Sequence, residues 1–205
     1  MNTRGGLIDV PSDGNCGYHV CKSILVEWGI LDLSLSIGDF REKILDYGLA
    51  NEETFVGVEK MGEDSSYKNL NGDIAFSGGQ RKNHNPLHVR KQFYINTVLL
   101  GIFSDCVDYC GDVGMEHWMT AAHVLPLIVH MFKLPELVMF SSVSSGEPGL
   151  FKFLTDSYTY NADVDCVYFQ RQDGLVHNTS ANPELNLVFF DDIKHFQVFH
   201  RVNVD

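Results

Sequence analysis

The chain has 205 residues, 44% of them hydrophobic and 20% charged, which excludes a disordered or fibrous protein. Its 15 Lys and Arg against 27 Asp and Glu give a net charge of −12, which argues against a nucleic-acid partner. Asp9 and Pro11 interrupt the first apolar residues, so no signal peptide is predicted, and no apolar run is long enough to span a membrane. We therefore expect a cytoplasmic protein with free thiols and a single domain over 1–205.

Apolar residues at helical spacing predict four helices in the first two thirds of the chain, starting near or after Cys16, Ile37, Leu87 and Trp118. The second helix should end at Gly48, and Pro126 should kink the fourth or delay its start. Between the second and third helices, residues 57–86 are rich in Gly, Ser and Asn, which predicts a surface insertion or lid.

After Pro135 the pattern changes to short β-branched and aromatic runs separated by turn residues, which predicts strands. The five runs are 137–143, 150–154, 166–171, 186–190 and 195–202. Helices followed by strands indicate an α+β fold, in which a central and mainly antiparallel sheet packs between helices.

The candidate nucleophile is Cys16, which lies where a turn meets the start of the first predicted helix. The free N–H groups and the dipole at a helix start favour a thiolate, so we expect a depressed thiol pKa. The backbone of Asp13, Gly14 and Asn15 is expected to form the nucleophile loop and oxyanion hole. For an isolated thiol the alternative is a cysteine that only packs in a core.

The candidate base is His195, at the start of the last predicted strand. Strand periodicity places His195 and Gln197 on one face, and the alternating residues Phe196, Val198 and His200 on the other. The second face is nearly all apolar and should be buried, so His200 is expected to pack there or to end the strand. His195 is left on the face that carries polar groups.

Three segments of the chain occur in a family-specific order. Asp-Gly-Asn-Cys at 13–16 is followed by Tyr18, Glu-His-Trp at 116–118 precedes an Ala- and Leu-rich helix, and His195 with an aromatic neighbour begins the last strand. These segments resemble the nucleophile, middle and base blocks of the ovarian tumour (OTU) family of cysteine deubiquitinases. The resemblance extends over essentially the whole chain and implies a single papain-like, OTU-type domain.

The resemblance implies hydrolysis of isopeptide bonds at the C-terminal glycine of ubiquitin or a ubiquitin-like modifier. Cys16 would form a thioester, and His195 would hold the thiolate as an ion pair and then protonate the leaving amine. Asp13 corresponds to an Asp that shapes the nucleophile loop and is counted among the family's active-site residues. The expected partners are ubiquitin and its conjugates, with no cofactor, and the protein is expected to be a monomer.

The chain departs from the family pattern at two positions. Gln197 stands where many members carry Asp or Asn to orient the base, so the orienting residue stays open among Gln197, Asp192, Asp13 and Asn15. Gly17 follows the nucleophile, where an apolar side chain is more usual. The run Gly-Asn-Cys-Gly-Tyr-His is similar to viral members, notably the arterivirus papain-like proteases, and this similarity would place the protein in a host cytoplasm.

Other parts of the site, and other functions, stay open. Trp118 and Phe196 are expected to line a channel for a thin Gly-Gly tail, where apolar walls exclude water. No metal is predicted, although a zinc site is an alternative for Cys106, Cys110, His117 and His123. The alternative functions are a papain-like protease that processes a precursor polyprotein and a catalytically silent ubiquitin-binding module.

Overall fold

The computed structural model describes residues 4–51, 119, 121–144, 151–174, 185–190 and 193–202. Within these ranges the chain forms, in order, β1 (Arg4–Ile8), α1 (Cys16–Glu27), α2 (Ile37–Ala50), α3 (Ala121–Met131), β2 (Leu137–Ser144), β3 (Phe151–Asn161), β4 (Cys166–Asp173), β5 (Leu185–Phe190) and β6 (His195–Val202). These elements make an α+β fold, as predicted. The insertion predicted for 57–86 and the helix predicted from Leu87 lie outside the described residues.

The described strands form one six-stranded sheet in the order β1-β6-β5-β2-β3-β4. Every neighbouring pair is antiparallel except β2 and β5, which run parallel, so the prediction of a mainly antiparallel sheet is confirmed. One face of the sheet shares the main core with all three described helices, and the other carries a small cluster of Val138, Phe140 and Val188. Within the described ranges the helices therefore lie on one face, and the predicted packing between helices is not observed.

The described helices largely follow their predicted positions. α1 begins at Cys16, as predicted. α2 begins after Ser36, whose hydroxyl accepts the N–H of Asp39 at 3.0 Å. It continues to Ala50, so the predicted end at Gly48 is wrong, and Gly48 is a buried residue of the helix. α3 runs through Pro126, so the predicted late start is not observed. No helix in the described ranges is long and apolar enough to cross a membrane.

The first strand, β1, is absent from the sequence prediction. Gly5 and Gly6 lie at its centre, and glycine has a low strand propensity. The strand forms because it pairs antiparallel with β6, from Arg4 opposite Val202 to Ile8 opposite Val198. Tertiary pairing therefore outweighs local preference here, and the residues that follow β1 are carried alongside β6.

A buried histidine joins α3 to α2 and to the turn between β3 and β4. The carbonyl oxygen of Asp165 lies 3.1 Å from His130 Nε2, and the Tyr47 hydroxyl lies 2.5 Å from Nδ1. Because a carbonyl oxygen only accepts, Nε2 donates to Asp165, and Nδ1 of the neutral ring accepts from Tyr47. The neutral His130 ring therefore makes a hydrogen bond to both Asp165 and Tyr47.

Acid is expected to weaken the fold through this histidine. Burial lowers the pKa of His130, so below an unfolded-state pKa of about 6.5 the unfolded chain binds the proton more readily than the folded chain. The stability that His130 contributes is thus complete above that pH and falls as the pH decreases through it. Urea denaturation from about pH 7.5 to about pH 5.5 should give a steeper decrease in unfolding free energy for the wild type than for His130→Gln. Equal slopes would contradict this assignment.

Candidate active site

The nucleophile loop is a tight turn that delivers Cys16 to the start of α1. Gly14 has a φ of 81°, in the left-handed region that favours glycine. Asp13 Oδ1 accepts the N–H of Asn15 at 2.8 Å, and Asp13 Oδ2 lies 3.0 Å from His19 Nε2 on α1. Burial acts to raise the pKa of Asp13, but the hydrogen bonds to His19 and Asn15 keep it below its ordinary value. Asp13 is therefore an ionised loop anchor.

Cys16 is a buried thiol at the start of α1, and the residue is 8% exposed. Burial raises the pKa of the thiol above its ordinary value, and the Asp13 carboxylate adds to this effect, while the N–H groups of Phe196, Gly17 and Cys16 itself act to lower it. The expectation of a depressed pKa is wrong for the free protein, because loss of water around the sulfur outweighs the helix start. A neutral thiol must lose its proton to a base before its sulfur can act as a nucleophile.

His195 begins β6 and is held by a carboxylate from the neighbouring strand end. Its Nε2 lies 2.7 Å from Asp9 Oδ1, and Gln197 Nε2 donates to the same oxygen at 3.1 Å. The β1–β6 register, extended by one residue, sets Asp9 opposite Gln197. His195 and Gln197 thus share a face as predicted, and Phe196 and Val198 on the other face are buried in the core.

Asp9 is the residue that orients His195, and the sequence prediction did not include it. Hydrogen bonds from His195, Gln197 and the Val10 N–H lower the pKa of Asp9, so its carboxylate is ionised at neutral pH. Nε2 of a neutral His195 therefore donates to Asp9, which leaves Nδ1 with a lone pair to accept a proton. Gln197 acts on the carboxylate and not on the ring, and Asp192 lies outside the described residues.

The structure places Cys16 and the start of β6 in the same core. Cys16 belongs to one buried cluster with Phe196, the residue directly after His195, and the N–H of Phe196 acts to lower the pKa of the thiol. The Phe196 side chain is 5% exposed and packs on Phe189, with ring centroids 4.7 Å apart. Phe196 therefore acts on the thiol through its backbone, while its side chain belongs to the core. Trp118, the other predicted channel residue, lies outside the described residues.

Close packing explains the glycine that follows the nucleophile. A Cβ atom at position 17 would lie 2.6 Å from Cε and 3.0 Å from Cβ of Met119. The end of the Met119 side chain therefore occupies the space that a side chain at Gly17 would need, and it would have to shift to admit one. The residue after Trp118 thus lies directly on the first turn of α1.

The other described cysteines are poor candidates for a nucleophile. Cys16, Cys21 and Cys166 are all free thiols. Burial raises the pKa of Cys21 far above its ordinary value, as expected for an inert core residue, and burial also raises the pKa of Cys166. Three of the four alternative zinc ligands, Cys106, Cys110 and His117, lie outside the described residues, and His123 lies on α3. Within the described ranges, no group of three or more His, Cys, Asp or Glu side chains could hold a metal ion.

Comparisons with known proteins find no relative of this chain. No protein-family model, no curated protein and no solved structure matches it. The function proposed below is therefore based on the chemistry of Cys16, His195 and Asp9.

Proposed function

We propose that the protein is an OTU-like thiol hydrolase that cleaves isopeptide bonds at the C-terminal glycine of ubiquitin or a ubiquitin-like modifier. The observation that carries the proposal is that Cys16 packs in one core cluster with Phe196, the residue directly after His195, whose ring is hydrogen-bonded to an ionised Asp9. A nucleophile at a helix start against a mixed sheet is compatible with a papain-like, OTU-type domain. The Asp-Gly-Asn-Cys motif at 13–16 supports this assignment.

The first half of the reaction forms a thioester. His195 Nδ1 takes the proton of the Cys16 thiol as Sγ attacks the glycine carbonyl carbon, and Asp9 stabilises the imidazolium that results. The imidazolium then gives its proton to the lysine nitrogen as the carbon–nitrogen bond breaks. The free amine leaves, and the modifier stays attached to Cys16 through its C-terminal glycine.

The second half restores the enzyme. His195 takes a proton from water, the hydroxide attacks the thioester carbonyl, and the carbon–sulfur bond breaks as the proton passes to Sγ. The oxyanion in both halves needs N–H donors. The Asn15 N–H is not available for this purpose, because it donates to Asp13. We assign oxyanion stabilisation to the N–H of Cys16, which has no helical partner at the first position of α1.

The proposal is tested with the purified protein, a panel of all diubiquitin linkage types and a ubiquitin probe that carries a C-terminal electrophile. We expect cleavage of at least one linkage and a covalent adduct at Cys16, identified by mass spectrometry. Binding of diubiquitin without any adduct would instead indicate a silent binding module. Cleavage of a precursor-junction peptide but of no diubiquitin would indicate the polyprotein protease.

Loss of the Asp9 charge is expected to weaken the base. We expect Asp9→Asn to lower kcat/KM for the cleaved diubiquitin roughly 10–100-fold, because the imidazolium loses its carboxylate partner. The effect should be smaller than the about 10⁴-fold loss at a buried triad carboxylate, since the Asp9 side chain is 70% exposed and water replaces part of its field.

The matched control for Asp9 is Asp46→Asn, which makes the same charge change at an exposed position of α2. Steady-state kinetics of the two variants separates a local effect from a change in net charge. Equal kcat/KM values for Asp9→Asn and wild type would show that the carboxylate does not assist His195.

A further inference from the structure

α2 places a buried arginine against the nucleophile segment. Arg41 is 2% exposed, although burial of a guanidinium carries a large desolvation cost unless its partners are specific. It donates through Nη1 to Asn15 Oδ1, and its guanidinium carbon lies 4.6 Å from the centre of the Tyr18 ring. These two partners stand directly before and two residues after Cys16. Arg41 thus holds the chain on both sides of the thiol.

Asn15 occupies the N-cap position of α1 but does not cap the helix with its side chain. Its carbonyl oxygen accepts the first helical hydrogen bond, from the N–H of His19 at 2.9 Å. An Asn at this position ordinarily also accepts, through its side-chain oxygen, an N–H two or three residues later. Within the described ranges Asn15 makes no such capping bond, and the oxygen is used by Arg41.

The unused cap matters because one of the same N–H groups acts on the nucleophile. The residues two and three positions after Asn15 are Gly17 and Tyr18, and the Gly17 N–H, which has no helical partner in the first turn of α1, acts to lower the pKa of the Cys16 thiol. A side-chain cap on Gly17 would take this donor from the sulfur. The side-chain oxygen of Asn15 and the thiolate of Cys16 therefore compete for the same N–H group in the first turn of α1.

We propose that Arg41 is a positioning residue that holds the Asn15 side chain away from the first turn of α1, so that the N–H groups there serve the Cys16 sulfur. This inference rests on the proposed role of Cys16 as the nucleophile. Arg41 is buried, and its proposed effect on the thiol is exerted through Asn15. The backbone of Asn15, with a φ of −101° and a ψ of 11°, is not in the extended conformation of a capping residue such as Ser36. Without the guanidinium, Asn15 would be able to take that conformation and form the ordinary cap.

The competition is measured by the pH dependence of iodoacetamide alkylation at Cys16, followed by site-resolved mass spectrometry. Four proteins are compared: wild type, Arg41→Met, Asn15→Ala and the double variant. We expect Arg41→Met to alkylate about threefold to tenfold more slowly at about pH 8, the ratio that one lost hydrogen bond gives, with the profile moved to higher pH. In the Asn15→Ala background, the same substitution should change neither the rate nor the profile.

An equal shift in both backgrounds would overturn the proposal, because it would show that Arg41 acts on the thiol by its charge or through packing. An unchanged profile in the single variant would also overturn it. If circular dichroism shows that Arg41→Met does not fold, the same cycle is run with Arg41→Lys, which keeps the charge but lacks the planar donor fork. Alkylation needs no ubiquitin, so failure to cleave diubiquitin would contradict the proposed function without affecting this measurement.

Discussion

Cys16→Ala is expected to abolish covalent capture by the ubiquitin electrophile and to lower diubiquitin cleavage at least about 10⁴-fold. No other described thiol can replace the nucleophile, because Cys21 and Cys166 are buried and burial raises the pKa of each. Affinity for ubiquitin should remain near that of wild type, since the substitution removes one sulfur atom from a buried position. Cleavage kinetics and a fluorescence binding titration separate these two quantities.

The control for Cys16→Ala is Cys21→Ala, which removes a thiol from the core side of the same helix. It should retain covalent capture and near-wild-type cleavage, provided that thermal melting shows a folded protein. Full hydrolytic activity in purified Cys16→Ala would rule out the thioester mechanism. Loss of ubiquitin binding in Cys16→Ala, together with an altered circular dichroism spectrum, would instead show that the sulfur is needed for packing.

His195→Ala should lower kcat/KM by about 10²–10⁴-fold, the usual contribution of general acid–base catalysis. The neutral Cys16 thiol has a raised pKa and would lose the group that accepts its proton. The residual activity of His195→Ala should rise with pH as hydroxide and the small thiolate fraction become more abundant.

His200→Ala is the matched control, because His200 lies on the same strand five residues later and on the opposite face. We expect it to retain most of the activity when both variants are assayed at equal concentrations of folded protein. If His200→Ala were the more damaging substitution, the assignment of roles to the two faces of β6 would be wrong. A small effect for both variants would require another base.

Structural elements whose sequence signal comes from neighbouring residues alone were predicted correctly. The last strand, His195 to Val202, was predicted with its correct bounds, because alternating apolar residues on a half-buried strand leave a clear signal. The start of α1 at Cys16 was also predicted, since a Gly/Asn turn before an apolar helical face marks a helix start. Together these two elements account for Cys16 and His195.

The orienting acid could not be predicted, because its position depends on a strand that local preference does not indicate. β1 contains two central glycines and forms through pairing with β6, 190 residues later in the chain. Only when this register is known does Asp9 come to lie opposite Gln197 and within 2.7 Å of the ring of His195. A search for an orienting residue near the base in sequence examines Gln197 and Asp192 and does not reach Asp9.

The pKa of the thiol was predicted with the wrong sign for a related reason. The motif indicates the helix start and its N–H groups, and those groups do lower the pKa of Cys16. It does not indicate how closely β6 and Met119 pack over the first turn of α1, and this packing removes water from the sulfur. Desolvation depends on the assembled core, so its size cannot be read from four consecutive residues.

The position of β1 at the margin of the sheet has a consequence for control of the proposed activity. Its sole hydrogen-bonded neighbour in the described sheet is β6, and no described strand pairs with its outer edge. A binding partner that displaced β1 from β6 would also move Asp9 away from His195. The His195 ring would then lose its carboxylate partner, while the main core stayed intact. Catalytic competence would then depend on whether the amino-terminal segment is docked.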